Sequence, residues 1–81
     1  MNLITIEVLC PAVSDSFDFR FPVKMKAEDL KNRLVDDIRT FENNQNLFNK
    51  GVSVFYDDGC MSPDMTLEDA GVKNGDRIMI I

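Results

Sequence analysis

At 81 residues, 44% of them hydrophobic and 28% charged, the chain suits one small globular domain with a modest core, residues 1–81 throughout. A net charge of −5 and a pI near 4.4 exclude the basic face of a nucleic-acid binder and attraction to anionic lipid. The absence of His removes the commonest general acid–base and the commonest metal ligand.

Residues Asn2 to Leu9 alternate as a strand, with Ile4, Ile6 and Val8 on one face and Thr5 and Glu7 on the other. The opening residues Met1 to Cys10 lack the basic region of a signal peptide, and no apolar run reaches membrane-spanning length. A cytoplasmic protein with no direct membrane insertion is therefore expected, with Cys10 and Cys60 as reduced, inert thiols unless the fold juxtaposes them. Pro11 ends the first strand, and Cys10 to Ser16 reads as a reversal. Phe17 to Val23 alternates again, with Phe17, Phe19, Phe21 and Val23 on one face, so the two strands are expected to pair as an antiparallel hairpin.

The period then changes. From Ala27 to Phe41, the residues Leu30, Leu34, Ile38 and Phe41 define one helical stripe, each worth roughly 1.5–3 kcal/mol when buried. Glu28 and Asp29 suit the first turn, and Asp29 and Arg33 are spaced as an ion pair, whereas Lys26 is a poor N-cap. Glu42 to Gly51 is Asn-rich and irregular, tacked to the sheet edge by Leu47 and Phe48. Val52 to Tyr56 is a third strand, Asp57-Asp58-Gly59 a hairpin turn, and Cys60 and Met61 a brief fourth strand. Thr66 can cap a short helix at Leu67 to Ala70 with Asp69 as the reciprocal acid. Gly71 and Gly75 supply the positive φ of tight turns, and Ile78 to Ile81 is an apolar strand suited to the sheet interior. A hairpin, a crossing helix and a late interior strand parallel to the first give an α+β fold. This is a β-grasp with a mixed four- to five-stranded sheet on one helix, and a helical turn before the last strand.

In this order of elements the whole chain resembles ubiquitin. The stretch LEDAGVKNGDRIMII, with ITIEV and FDFRF, is similar to the YukD-type (EsaB-type) ubiquitin-like proteins, small cytoplasmic proteins encoded with type VII secretion systems of Gram-positive bacteria. The resemblance implies a non-conjugated ubiquitin-like accessory of such a system, whose partners would be components of its apparatus. In related actinobacterial systems a ubiquitin-like domain is fused to a membrane component. The sequence departs from ubiquitin in lacking a Gly-Gly tail after its last strand, so neither a modifier nor a sulfur carrier is expected.

No enzymatic arrangement is expected, and no cofactor. A Cys nucleophile has no His, Asp57-Asp58 lacks the spaced ligands of a calcium loop, and Gly71 and Gly75 are not followed by the Lys-Ser/Thr of a phosphate loop. What remains is surface. If Val52, Val54, Ile78 and Ile80 face the helix, then Phe55, Met79 and Ile81 face away from it on adjacent strands and form one exposed apolar patch for a protein partner, with Leu3 and Leu9 toward the other strand. By resemblance this is the face through which ubiquitin is gripped. Self-association and a generic β-grasp adaptor with another partner are the competing uses of that face.

Overall fold

The computed structural model describes residues 2–57 and 59–81. Its elements are β1 (Leu3–Cys10), a 3-10 turn (Pro11–Val13), β2 (Asp15–Pro22), α1 (Ala27–Phe41), β3 (Val54–Tyr56), β4 (Gly59–Cys60), α2 (Leu67–Ala70) and β5 (Arg77–Ile80). The sheet order is β2-β1-β5-β3-β4, with β1 parallel to β5 and the other pairs antiparallel. The last strand thus lies inside the sheet beside the first, the β-grasp arrangement that the crossover rule requires.

The core is the layer between the sheet and α1. Ile6 and Val8 from β1, Ile78 and Ile80 from β5, Leu30, Leu34 and Ile38 from α1, and Leu67 from α2 are fully buried. The hairpin register sets Ile4, Ile6 and Val8 opposite Phe21, Phe19 and Phe17, so the aliphatic and aromatic faces of the two strands coincide. Cys10 is the last residue of β1 rather than part of the reversal, because Pro11–Val13 closes the hairpin within a single turn that Ser14 ends at φ 54°. The second strand consequently starts at Asp15 and stops at Pro22, which leaves Val23 outside it.

The helix occupies the expected residues, but its start is made differently. Lys26 provides no side-chain cap; the Ala27 and Glu28 N–H groups donate instead to the Met65 and Pro63 carbonyls at 2.8 and 3.1 Å. The Leu67 and Glu68 N–H groups in turn donate to the Met25 and Val23 carbonyls at 3.2 and 2.8 Å. Each helix therefore has two of its first-turn donors satisfied by the chain leading into the other. Thr66 and Asp69 complete the capping box of α2, and Gly71 closes it at φ 82°.

Five details differ from the sequence reading. Arg33 pairs with Asp37 at 3.6 Å rather than with Asp29; both lie at i±4, and a few tenths of a kcal/mol separates such choices. Phe41 continues the helical stripe yet is 61% exposed, because its ring rests on Phe17 and Phe19 of the edge strand and nothing covers its far side among the described residues. The third strand begins at Val54, although Ser53 still exchanges backbone hydrogen bonds with Ile81 at 2.9 and 3.1 Å. The fourth is Gly59–Cys60, with Met61 buried beyond it; of the expected turn, Asp57 has φ 57° and Asp58 lies outside the described residues. The Asn-rich loop is tied down by Leu47 and Phe48, but on the core and α1 rather than on the sheet edge: both pack on the core, and Arg39 Nε of α1 donates to the Leu47 carbonyl at 2.7 Å.

Candidate functional site

The turn and strand written NGDR, which carried much of the sequence resemblance, joins three strands. Asn74 Oδ1 accepts the Thr5 N–H at 2.8 Å, and the Gly75 N–H donates to the Thr5 carbonyl at 2.7 Å with Gly75 at φ 89°. These bonds extend the β1–β5 ladder one step beyond β5 itself. Asp76 Oδ2 accepts both the Tyr56 hydroxyl at 2.6 Å and the Lys73 N–H at 2.9 Å, and the same hydroxyl lies 3.3 Å from the Gly71 carbonyl. The Tyr56 hydroxyl, followed by the Lys73 N–H, holds the Asp76 carboxyl below its ordinary range, and the Asp76 carboxylate pushes the Tyr56 phenol up. Arg77 Nε reaches back to Glu7 on β1. These contacts tie the start of β5 to β1 and β3.

On the sheet face away from α1, register places the predicted residues as follows. Met79 sits between Leu9 of β1 and Phe55 of β3, and Phe55 is paired in turn with Cys60 of β4. Leu9, Met79 and Phe55 form one row across three strands, each half-buried rather than fully exposed. Ile81 stands one step further along the same face beside Ser53 and is 61% exposed. Leu3 is 52% exposed but lies opposite Pro22 at the far end of β1, about 20 Å from Leu9 at strand rise, and does not join the row. Between them the face is polar: Glu7 lies opposite Asp18 on one side and Arg77 on the other. The outer face thus has an apolar end and a charged end.

Cys10 is buried on the helix side, and burial pushes its thiol up, away from the reactive thiolate. Cys60 is exposed, and both cysteines are free. No group of His, Cys, Asp and Glu suited to a metal ion occurs among the described residues, nor any helix long and apolar enough to cross a membrane. A surface cleft of about 410 Å³ lined by Asn2, Pro22, Val23, Lys24 and Glu68 holds no nucleophile beside a base. Alternation alone was enough to select Phe55, Met79 and Ile81. The joining of Leu9 to them required the β1–β5 register, and the Tyr56–Asp76 contact had no sequence signal.

No family model matches this sequence, and no curated protein sequence does. Solved structures do match in three dimensions. The EccD5 ubiquitin-like domain from Mycobacterium xenopi superposes with a TM-score of 0.82 at 15% identity, covering 100% of this chain and 94% of that one. The ubiquitin-like domain of Plasmodium falciparum Dsk2 gives 0.77 at 11% identity, covering 98% and 96%. Caldiarchaeum subterraneum ubiquitin gives 0.71 at 16% identity, covering 99% and 92%. With sheet order, parallel β1–β5 pairing and these superpositions in agreement, the chain has the ubiquitin-like β-grasp fold.

Proposed function

We propose that this chain is a non-conjugated, non-enzymatic recognition module, residues 1–81 forming its single domain, that acts in the cytoplasm by docking its outer sheet face onto a component of a type VII secretion apparatus. The observation that carries the docking is the row Leu9–Met79–Phe55, continued by Ile81. Apolar side chains in register across three strands, on the face the helix does not cover, are the pattern of a binding surface rather than of scattered exposed residues. The type VII assignment is supported by the resemblance of ITIEV, FDFRF and LEDAGVKNGDRIMII to YukD-type proteins. The likeness to the EccD5 domain supports the shared fold.

The test is capture from the native host with the protein as bait. A secretion component retained by the wild type and lost with Phe55→Asp plus Met79→Asp, at unchanged far-ultraviolet dichroism, is the expected result. Capture unaffected by the double substitution would remove the row from the mechanism. A different partner, lost in the same way, would leave the docking face and replace the secretion assignment with the adaptor reading. The intact mass of the native protein is expected to show no adduct; a covalent one at Ile81 would overturn non-covalent docking.

A further inference from the structure

Between α1 and the loop that follows it lies a groove separate from the outer sheet face. Lys31, Val35 and Arg39 stand at i, i+4 and i+8 and so share one face of the helix. Together with Phe48 and Val52 of the loop they line a cleft of about 380 Å³. All five are half-buried, while Asn32 and Asp36 form an exposed rim. The loop wall is held in place. Arg39 Nε donates to the Leu47 carbonyl at 2.7 Å, and the Gly51 N–H donates to the Phe48 carbonyl at 2.9 Å. Phe48 itself has φ 62°, a conformation disfavoured for so bulky a residue, and in it packs on the core while lining the cleft.

The charges of this groove select its occupant. Among the described residues the ion pairs are Lys26–Asp64, Arg33–Asp37 and Glu7–Arg77, so Lys31 and Arg39 have no carboxylate partner. With Nε committed to the loop, the terminal nitrogens of Arg39 keep a planar fork suited to a carboxylate. In a chain of net charge −5, two unpaired cations at the ends of an apolar floor are a local reversal of sign. The helix separates them by about 12 Å at its rise per residue. Acids four apart in an extended segment are about 13 Å apart, and the residue midway between them points to the same side. The geometry points to a docking groove for an extended acidic segment of another protein. Its carboxylates at i and i+4 meet Lys31 and Arg39, and an aliphatic side chain at i+2 rests on Val35, Phe48 and Val52. Asp36 on the rim opposes an acid at that central position, which fixes the spacing. A second copy of this chain is a poor occupant, because its only acids four apart, Asp64 and Glu68, flank Thr66 at the start of α2.

The test uses the full chain, labelled for NMR, and the blocked peptide Thr-Glu-Thr-Leu-Thr-Glu-Thr. Binding is expected to shift the amide signals of Val35, Arg39, Phe48 and Val52, and to weaken about tenfold or more when both Glu become Gln or when Leu becomes Ser. The peptide Thr-Thr-Glu-Leu-Glu-Thr-Thr has the same composition with its acids two apart, and is expected to lose as much. Lys31→Gln leaves the helix intact and lowers affinity about tenfold. Arg39→Lys keeps the charge and gives a second loss by removing the fork. Citrate at the same carboxylate concentration is expected not to compete. Phe55→Asp plus Met79→Asp is expected to have no effect, which separates this groove from the outer-face docking. No binding, shifts confined to other residues, equal affinity for the Gln or the respaced peptide, competition by citrate, or unchanged affinity in folded Lys31→Gln would each overturn the assignment.

Discussion

The two faces of this sheet are made by the same strands in the same register and differ only by parity. Toward α1, β5 presents Ile78 and Ile80, both buried; away from it, the same strand presents Arg77 and Met79, with Ile81 just past its end on the same face. The inner side chains are demanded by the packing of this chain on itself. The outer apolar row is not, since α1 never reaches it, and a side chain that packing does not demand is free to serve a partner. The comparison is broken most directly by truncating one residue on each side of the core boundary. Leu34→Ala, in the buried stripe of α1, is expected to lose about 2–5 kcal/mol in urea unfolding. Phe55→Ala, half-buried on the outer face, is expected to lose on the order of 1 kcal/mol. Equal losses would show that the outer row is also structural.

Tyr56 sharpens the comparison at its margin. It belongs to the helix-facing parity, opposite Ile78, yet its hydroxyl leaves the core to meet Asp76. Because the Asp76 carboxyl is held below its ordinary value of 3.8, its stabilisation is present above that pH and lost as pH falls through the lowered value. Because the Tyr56 phenol is pushed above its ordinary 10.0, its share is present below pH 10.0 and lost as pH rises through the raised value. Tyr56→Phe should therefore lower the melting temperature most near neutrality, with the gap to wild type closing in acid and in strong alkali. A gap that stays constant across that range would mean that the hydroxyl contributes through packing alone.

Much of the fold was legible because burial imposes period. The α1 stripe, the Phe17–Phe19–Phe21 alternation and the interior position of β5 each follow from spacing. Features made by tertiary partners were not legible. Lys26 is a poor cap on any local rule, and its helix is started by carbonyls from Pro63 and Met65, distant in sequence. Phe41 fits the stripe, and only the position of β2 shows that its outer side is uncovered. In the candidate site, parity gave Phe55 and Met79 directly, whereas adding Leu9 and setting Leu3 apart needed the register. Where a local rule applied, it can be tested alone: Thr66→Ala breaks the reciprocal cap of α2 and is expected to cost about 1 kcal/mol. A negligible loss would assign the start of α2 to the Val23 and Met25 carbonyls instead.

The smallest effect is expected at the charged end of the outer face. Arg77 and Glu7 form a cross-strand ion pair beside the apolar row, with the Arg77 side chain 62% exposed and that of Glu7 35%. Such a pair is worth about 0.2–1 kcal/mol and weakens with salt, so Arg77→Gln should show a slight loss at low ionic strength and almost none at about 1 M. It should also leave partner capture intact. Met79 is placed by backbone pairing with Leu9 and Phe55 on its two sides, and neither pairing needs the guanidinium. A large, salt-independent loss would instead make Arg77 a pin for β5. The apolar row would then owe its alignment to the charged end, and the two ends of the face could not be altered independently.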